Sequence, residues 1–239
     1  MEILFAGAAG ALQCFFFAVV AAAVVGVIIY AVYRAGQRRE AMARLAAEWG
    51  LRFYAADPYD IPARYAHVDL FGRGHARRAS NVLAGQVDGR EVILCDYRYK
   101  TGSGKDEHTH SFQVAILGMP ILAPRMHMRR ESFLDTMASW VGFDDLDFES
   151  EEFSRRYHVK ADDRKFAYDV LHARLIQYLL ACGDVPALEM NGPLLVLHDD
   201  QDGAERVRRL LDIGGEIIRS IPDYVRAARG TGGQQGGRT

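Results

Sequence analysis

The sequence predicts an α+β protein on a membrane: an N-terminal transmembrane helix, an antiparallel β-meander lobe and a second, mixed α+β lobe. Three observations predict it. From Leu12 to Tyr33 the chain is apolar or aromatic throughout, apart from Gln13 and Cys14. Further on, Asp88-Gly89 joins two β-prone runs, the mark of a hairpin. Beyond it, strand-like and helical patterns mix without the regular alternation of a doubly wound sheet.

The anchor comes first. Roughly 20 apolar residues, each rising about 1.5 Å, cross a hydrocarbon core of about 30 Å. A cleaved secretory signal opens with positive charge and has a shorter apolar stretch. Here Glu2 precedes the segment, and the positive charges follow it at Arg34, Arg38, Arg39 and Arg44. Basic residues translocate poorly, so the expected topology is single-pass in the plasma membrane, N-terminus outside and C-terminal region cytoplasmic. Membrane lipid is then a partner through the N-terminal helix. Cys14 lies in the anchor, which leaves Cys95 and Cys182, too few and too far apart for a disulfide framework or zinc site.

Four segments are expected: the anchor at 1–33, a juxtamembrane helix and meander lobe at 34–120, a second lobe with a C-terminal helix at 121–228, and a disordered Gly-rich tail at 229–239. The tail has too much Gly and no apolar residue to order it. The net charge of −2 gives no case for a general nucleic-acid binder or an enzyme of acidic substrates, so no nucleic-acid partner is expected.

Past the anchor, Met42, Leu45 and Trp49 fall at helical spacing, and Gly50 supplies the stop. The hairpin runs Asn81 to Val87 and Arg90 to Lys100, with a type I′ turn that pairs Val87 with Arg90, Ala84 with Ile93 and Val82 with Cys95. A third strand, His108 to Leu117, returns after the loop Thr101 to Glu107. One register that matches its apolar face to the preceding strand sets Ile93 beside Val114, Cys95 beside Phe112, Tyr97 beside His110 and Tyr99 beside His108.

Beyond Pro120 and Pro124, Met126 to Arg130 is a candidate strand and Glu131 to Trp140 a short helix. An acidic connection leads to a strand at Tyr157 to Lys160, after which Asp162 is a helix cap. Phe166, Val170 and Leu171 give that helix its apolar face. Leu175, Ile176, Leu179 and Leu180 continue it or form another, ended by Gly183. Asn191-Gly192 predicts a second hairpin. The last helix, from about Gly203 to Arg226, presents Val207, Leu210, Leu211, Ile217, Ile218 and Ile221 on one stripe. Gly214-Gly215 is expected to interrupt it, and Pro222 to kink or end it.

No catalytic residue is assignable. TGSGK at Thr101 to Lys105 has part of a phosphate-loop pattern, but Tyr99 and Asp106 stand where that pattern needs Gly and Ser or Thr, and the fragment joins two strands. His108 and His110 share one strand face; a zinc site needs at least three ligands, and His127, His67 and Asp96 are the candidates to complete one. That is the enzyme alternative, a metal-assisted hydrolase using the His pair with nearby carboxylates. Asp144, Asp145, Asp147, Glu149, Glu151 and Glu152 lack the Gly and Glu spacing of a calcium loop and read as a solvated connection. The leading expectation is therefore no metal, no cofactor and a protein-interaction or membrane-surface-binding module. Its candidate contact residues are Tyr97, Tyr99, Lys105, His108 and His110, at the end of the meander where loops ride on rigid strands. A second, basic set, Arg34, Arg38, Arg39, Arg73, Arg77 and Arg78, is placed to touch anionic headgroups.

The runs LCDYRYKTGSGK, with a nearby HTH, and FESEEFSRRYHVKADDRKFAYDVLHARL resemble a family of uncharacterised bacterial single-pass membrane-anchored proteins, a domain of unknown function. The resemblance extends from Arg38 to about Val225. It implies one hydrophobic N-terminal segment and an α+β cytoplasmic region, and it implies no activity.

Overall fold

A computed structural model describes residues 2–130, 146–200 and 203–230, with side chains from residue 17 onward. The chain forms two compact units, Met1–Arg44 and Leu45–Thr239. The first is the greater part of one long helix, α1 (Glu2–Glu48). From Phe17 this helix is long and apolar enough to cross a membrane, with a mean hydropathy of 2.1 in its most apolar window and none of that window buried in the protein. Val27, Ile29 and Tyr33 are each more than 60 % exposed. Apolar side chains all round a helix call for an apolar solvent.

In the second unit α1 ends at Glu48, and Gly50 follows at φ 66°, a left-handed stop that glycine takes without strain. The described strands form one antiparallel sheet in the order β1 (Arg52–Ala56), β2 (His75–Val87), β3 (Arg90–Thr101), β4 (His108–Arg130), β5 (Tyr157–Ala161), with β6 (Ala187–Asp199) also paired to β4. Two short helices, α2 (Ile61–Arg64) and α3 (Asp69–Gly72), join β1 to β2. They cover one face of the sheet, where Ile61, Leu70 and Phe71 pack with Cys95, Tyr97, Tyr99, Val114 and Ile116. The other face holds α7 (Ala204–Ser220), with Gly214 against Leu117 and Leu197. The remaining α-helices among the described residues are α4 (Glu151–Arg156), α5 (Arg164–Val170), α6 (Ala173–Cys182) and α8 (Asp223–Arg229).

The α+β class and the meander are as the sequence predicts, and Asp88 and Gly89 both take the positive φ of a type I′ turn. Ala84 faces Ile93 as expected; the pairing is then broken between Ser80 and Leu83, where Asn81 sits at φ 49°, so Val82 falls at a bulge instead of opposite Cys95. The β3–β4 register differs from the expected one by two residues. Ile93 faces Ile116, Cys95 faces Val114, Tyr97 faces Phe112 and Tyr99 faces His110. A slip of two keeps every side chain on its face, and this register gives Ile116 an apolar partner that the other denied it.

Asn191-Gly192 makes no hairpin. β6 runs through it at Gly192 φ 56°, because both halves of β6 pair with the same long strand, β4. β4 runs through Pro120 and Pro124, so the expected meander and the expected second lobe share it. Asp163, not Asp162, caps α5 by accepting from the Phe166 N–H at 3.0 Å. Asp162 is instead held at the β-strand end, its N–H donated to the Arg125 carbonyl. α7 passes through Gly214-Gly215 unbroken, since the missing side chain at 214 lets the helix approach the sheet; Pro222 does separate α7 from α8. The expected helix at 131–140, the residues Asp144 and Asp145 and most of the tail lie outside the described residues.

A Cβ at Gly214 would lie 2.8 Å from Leu197 Cδ1 and 3.1 Å from Leu117 Cδ1, whereas one at Gly215 meets only the Arg219 guanidinium at 3.4 Å. Denaturant unfolding should therefore show Gly214→Leu destabilised by about 1–3 kcal/mol through overpacking. Gly215→Ala should be neutral or gain up to about 1 kcal/mol.

Candidate functional site

A polar cleft of about 330 Å³ opens on the α2–α3 face of the sheet. It is lined by Arg73, Tyr99, Thr109, His110, Ser111, Phe112, His127, Arg129, Ala187, His198 and Asp200. Ala187 and His198 lie near opposite ends of β6. Eleven extended residues would hold them about 36 Å apart. Both line one cleft because the β4–β6 ribbon is bent where its pairing is irregular, between Gly118 and Met126.

The first residue of α3 ties the site together. The Asp69 N–H donates to Glu189 Oε2 at 2.9 Å, and its carboxylate accepts from Arg73 through Nε, at 3.0 Å, and Nη2. Glu189 faces His127 across the β4–β6 pairing, and Arg129 follows two residues on, pointing to the same face. At the other end of β6, His198 meets the Phe112 ring edge-on at 5.2 Å; Phe112 stacks on Tyr99, and Tyr99 on His110 at 4.9 Å. This is an aromatic and imidazole ladder set in the register described above.

Burial shifts the protonation of three groups. It pushes His127 down to about 3, with Arg73 and Arg129 adding to the shift and Asp69 opposing it. It pushes His198 down to about 3, with Arg73 and His127 adding. It raises the Glu189 carboxyl to about 7, against the backbone N–H of Asp69, which favours the charged form. Arg73 is raised: its paired Asp69 outweighs the burial that alone would lower it. At neutral pH His127 and His198 are thus neutral beside the charged Arg73 guanidinium.

The expected contact residues divide between surface and interior. Lys105 is exposed in a 3-10 turn, Gly104–Asp106, and His108 is exposed opposite Thr101. His110 is half-buried, 2.8 Å from Thr101 Oγ1. Tyr97 and Tyr99, expected at the contact surface, are buried in the core, Tyr97 against Phe71 at 4.9 Å with its phenol pushed up to about 12 by burial. Two four-residue helices cover them, too short to leave a periodicity in the sequence. Asp96 accepts from Asn81 Nδ2 at 2.8 Å. Among the described residues no group of three His, Cys, Asp or Glu side chains is placed to hold a metal ion.

The basic set divides as well. Arg34 and Arg39 are exposed on α1, and Arg38 is partly so. Arg73 turns inward to Asp69, which removes it from the surface. Arg77 donates to the carbonyls of Gly72, Arg73 and Gly74, holding the turn before β2, while Arg78 is exposed. The sequence reading missed Asp69, Arg129, Glu189 and His198, and weighed His127 only as a metal ligand. The available signal was a polar residue between apolar neighbours in a strand: His127 between Met126 and Met128, and Glu189 between Leu188 and Met190.

No family model and no curated protein matches this chain. Among solved structures it is similar to the mycobacterial trehalose monomycolate transport factor A, TtfA, at 14 % identity and a TM-score of 0.54, over 80 % of this chain and 94 % of that one. At this identity the likeness speaks to the fold.

The shifted groups fix an acid sensitivity. In the unfolded chain both histidines take protons near their ordinary value of about 6.5, and folded they resist until about 3. Their contribution to stability is present above pH 6.5 and lost on acidification. Glu189 acts oppositely, stabilising below about 4.5 and losing that contribution as pH rises through 7. Between pH 6.5 and 4.5 the balance is about one proton, so unfolding free energy should fall by about 1.4 kcal/mol per pH unit, and more steeply below 4.5. Denaturant titrations at stepped pH check this; flat stability from pH 7 to 4 contradicts it.

Proposed function

We propose that this chain is a single-pass plasma-membrane protein, N-terminus outside, whose cytoplasmic α+β region serves as a docking module for a protein partner. The observation that carries this reading is a helix of membrane-spanning length, apolar on all sides and unburied, continuous with a compact α+β unit. A mycobacterial transport factor of the same fold supports a membrane-associated role. The resemblance to membrane-anchored bacterial proteins points the same way.

The docking surface is the end of the β3–β4 hairpin. Residues 102–109 are exposed there, with Lys105 in the turn and the loop base pinned by Lys100 Nζ to Glu107 Oε1 at 2.7 Å. A loop presented by two paired strands offers a partner a surface with little ordering left to do. Exposed Arg34 and Arg39 on α1, and Arg78 on β2, are suited to meet anionic headgroups as auxiliary contacts.

In-cell crosslinking and affinity capture of the full-length protein should yield a stoichiometric partner. A version with residues 102–107 replaced by a Gly-Ser linker should lose it at least tenfold. Equal recovery from both refutes the surface; no partner from either refutes the docking function. Orientation is read separately: a C-terminal green fluorescent fusion should fluoresce while an alkaline phosphatase fusion stays silent, and the converse pattern reverses the topology.

A further inference from the structure

We propose that the cleft on the α2–α3 face binds a phosphate or phosphate-monoester group, held by Arg73 and Arg129 with the His198 imidazole as a further donor. This does not depend on the protein partner above. Arg73 and Arg129 approach the cleft from different elements, the end of α3 and the far half of β4, so their convergence is a product of the bent ribbon. Asp69 engages Arg73 through Nε and Nη2, which orients the guanidinium without using its whole edge.

His198 is the second, independent observation. It is 8 % exposed, lines the cleft, and its ring nitrogens have no hydrogen-bond partner among the described residues. Neither ring nitrogen is fully buried, so the polar edge of the imidazole stays open to the cleft. A neutral imidazole carries one N–H and one acceptor, so it can donate to a phosphoryl oxygen without needing a charge. Thr109 and Ser111 line the cleft along the stretch of β4 that lies beyond its pairing with β6. Guanidinium forks from two elements and an imidazole approach from several directions, which suits a tetrahedral dianion better than a planar carboxylate. The volume lies at the small end of ligand cavities, which run from about 300 Å³, and fits a compact head group. Asp200, the acid on the lining, is exposed.

The test uses the full-length protein in neutral detergent, with the ring resonances of His198 followed by NMR. Inorganic phosphate, glycerol 3-phosphate and dihexanoyl phosphatidic acid are titrated at matched ionic strength. Saturable shifts with the first two assign a soluble phosphate ester; saturation by the phosphatidic acid alone assigns a lipid head group. Both support the proposal. Shifts no larger than those from sodium chloride overturn it. Arg129→Gln should weaken binding at least tenfold, and unchanged affinity would overturn the assigned wall. If that variant does not fold, the wild-type His198 response alone decides. A null titration with partner capture intact would refute this inference and leave the docking function standing.

Discussion

The unit beyond the anchor depends on one strand having partners along both of its edges. β4 pairs with β3 over its first ten residues, with β5 over its last five, and with β6 from Gln113 to Met128. No straight strand of 23 residues could do this in a small domain, since it would extend about 76 Å. The chain solves this with residues that break the ladder. Pro120 and Pro124 have no N–H to donate, and they fall where the β4–β6 register shifts, opposite the left-handed Gly192. The bend that results draws both ends of β6 to one place and creates the cleft.

The cleft is stabilised by a relay of polar contacts, not by its polarity as such. A buried charge is tolerated when it is paired, and an ion pair in such a site contributes little net stability while its loss of one member is costly. Arg73, Asp69 and Glu189 form such a chain, joining α3 to β6 across 120 residues of sequence. Its consequence is geometric: the carboxylate of Asp69 aims Arg73, and Glu189 fixes the start of α3. The same burial that holds His127 and His198 uncharged makes the site sensitive to acid. Position and charge state of the wall therefore share one cause.

Much of this was legible in the sequence. The anchor shows as an unbroken apolar run, while the Asp-Gly turn, Gly50, Gly183 and Pro222 act through local backbone preference; a single sequence displays both. The Asn-Gly at 191–192 misled for the same reason: its preference for positive φ was satisfied, but by a bulge, because the choice between bulge and hairpin lay with β4. Gly214 likewise reads as a helix breaker until the sheet beside it is known. The β3–β4 register came out two residues off because parity fixes faces and not offsets. The cleft was hardest to see, since Asp69, His127, Glu189 and His198 meet only through the bend, and each alone is an unremarkable polar residue.

The most direct test of the bent ribbon is to follow the His127 and His198 imidazoles by NMR while the pH of the full-length protein is lowered in detergent. If the ribbon bends as described, both rings are buried together and stay neutral well below pH 5, with midpoints near 3. Titration of both near the ordinary value of about 6.5 would place them in open solvent and contradict the cleft.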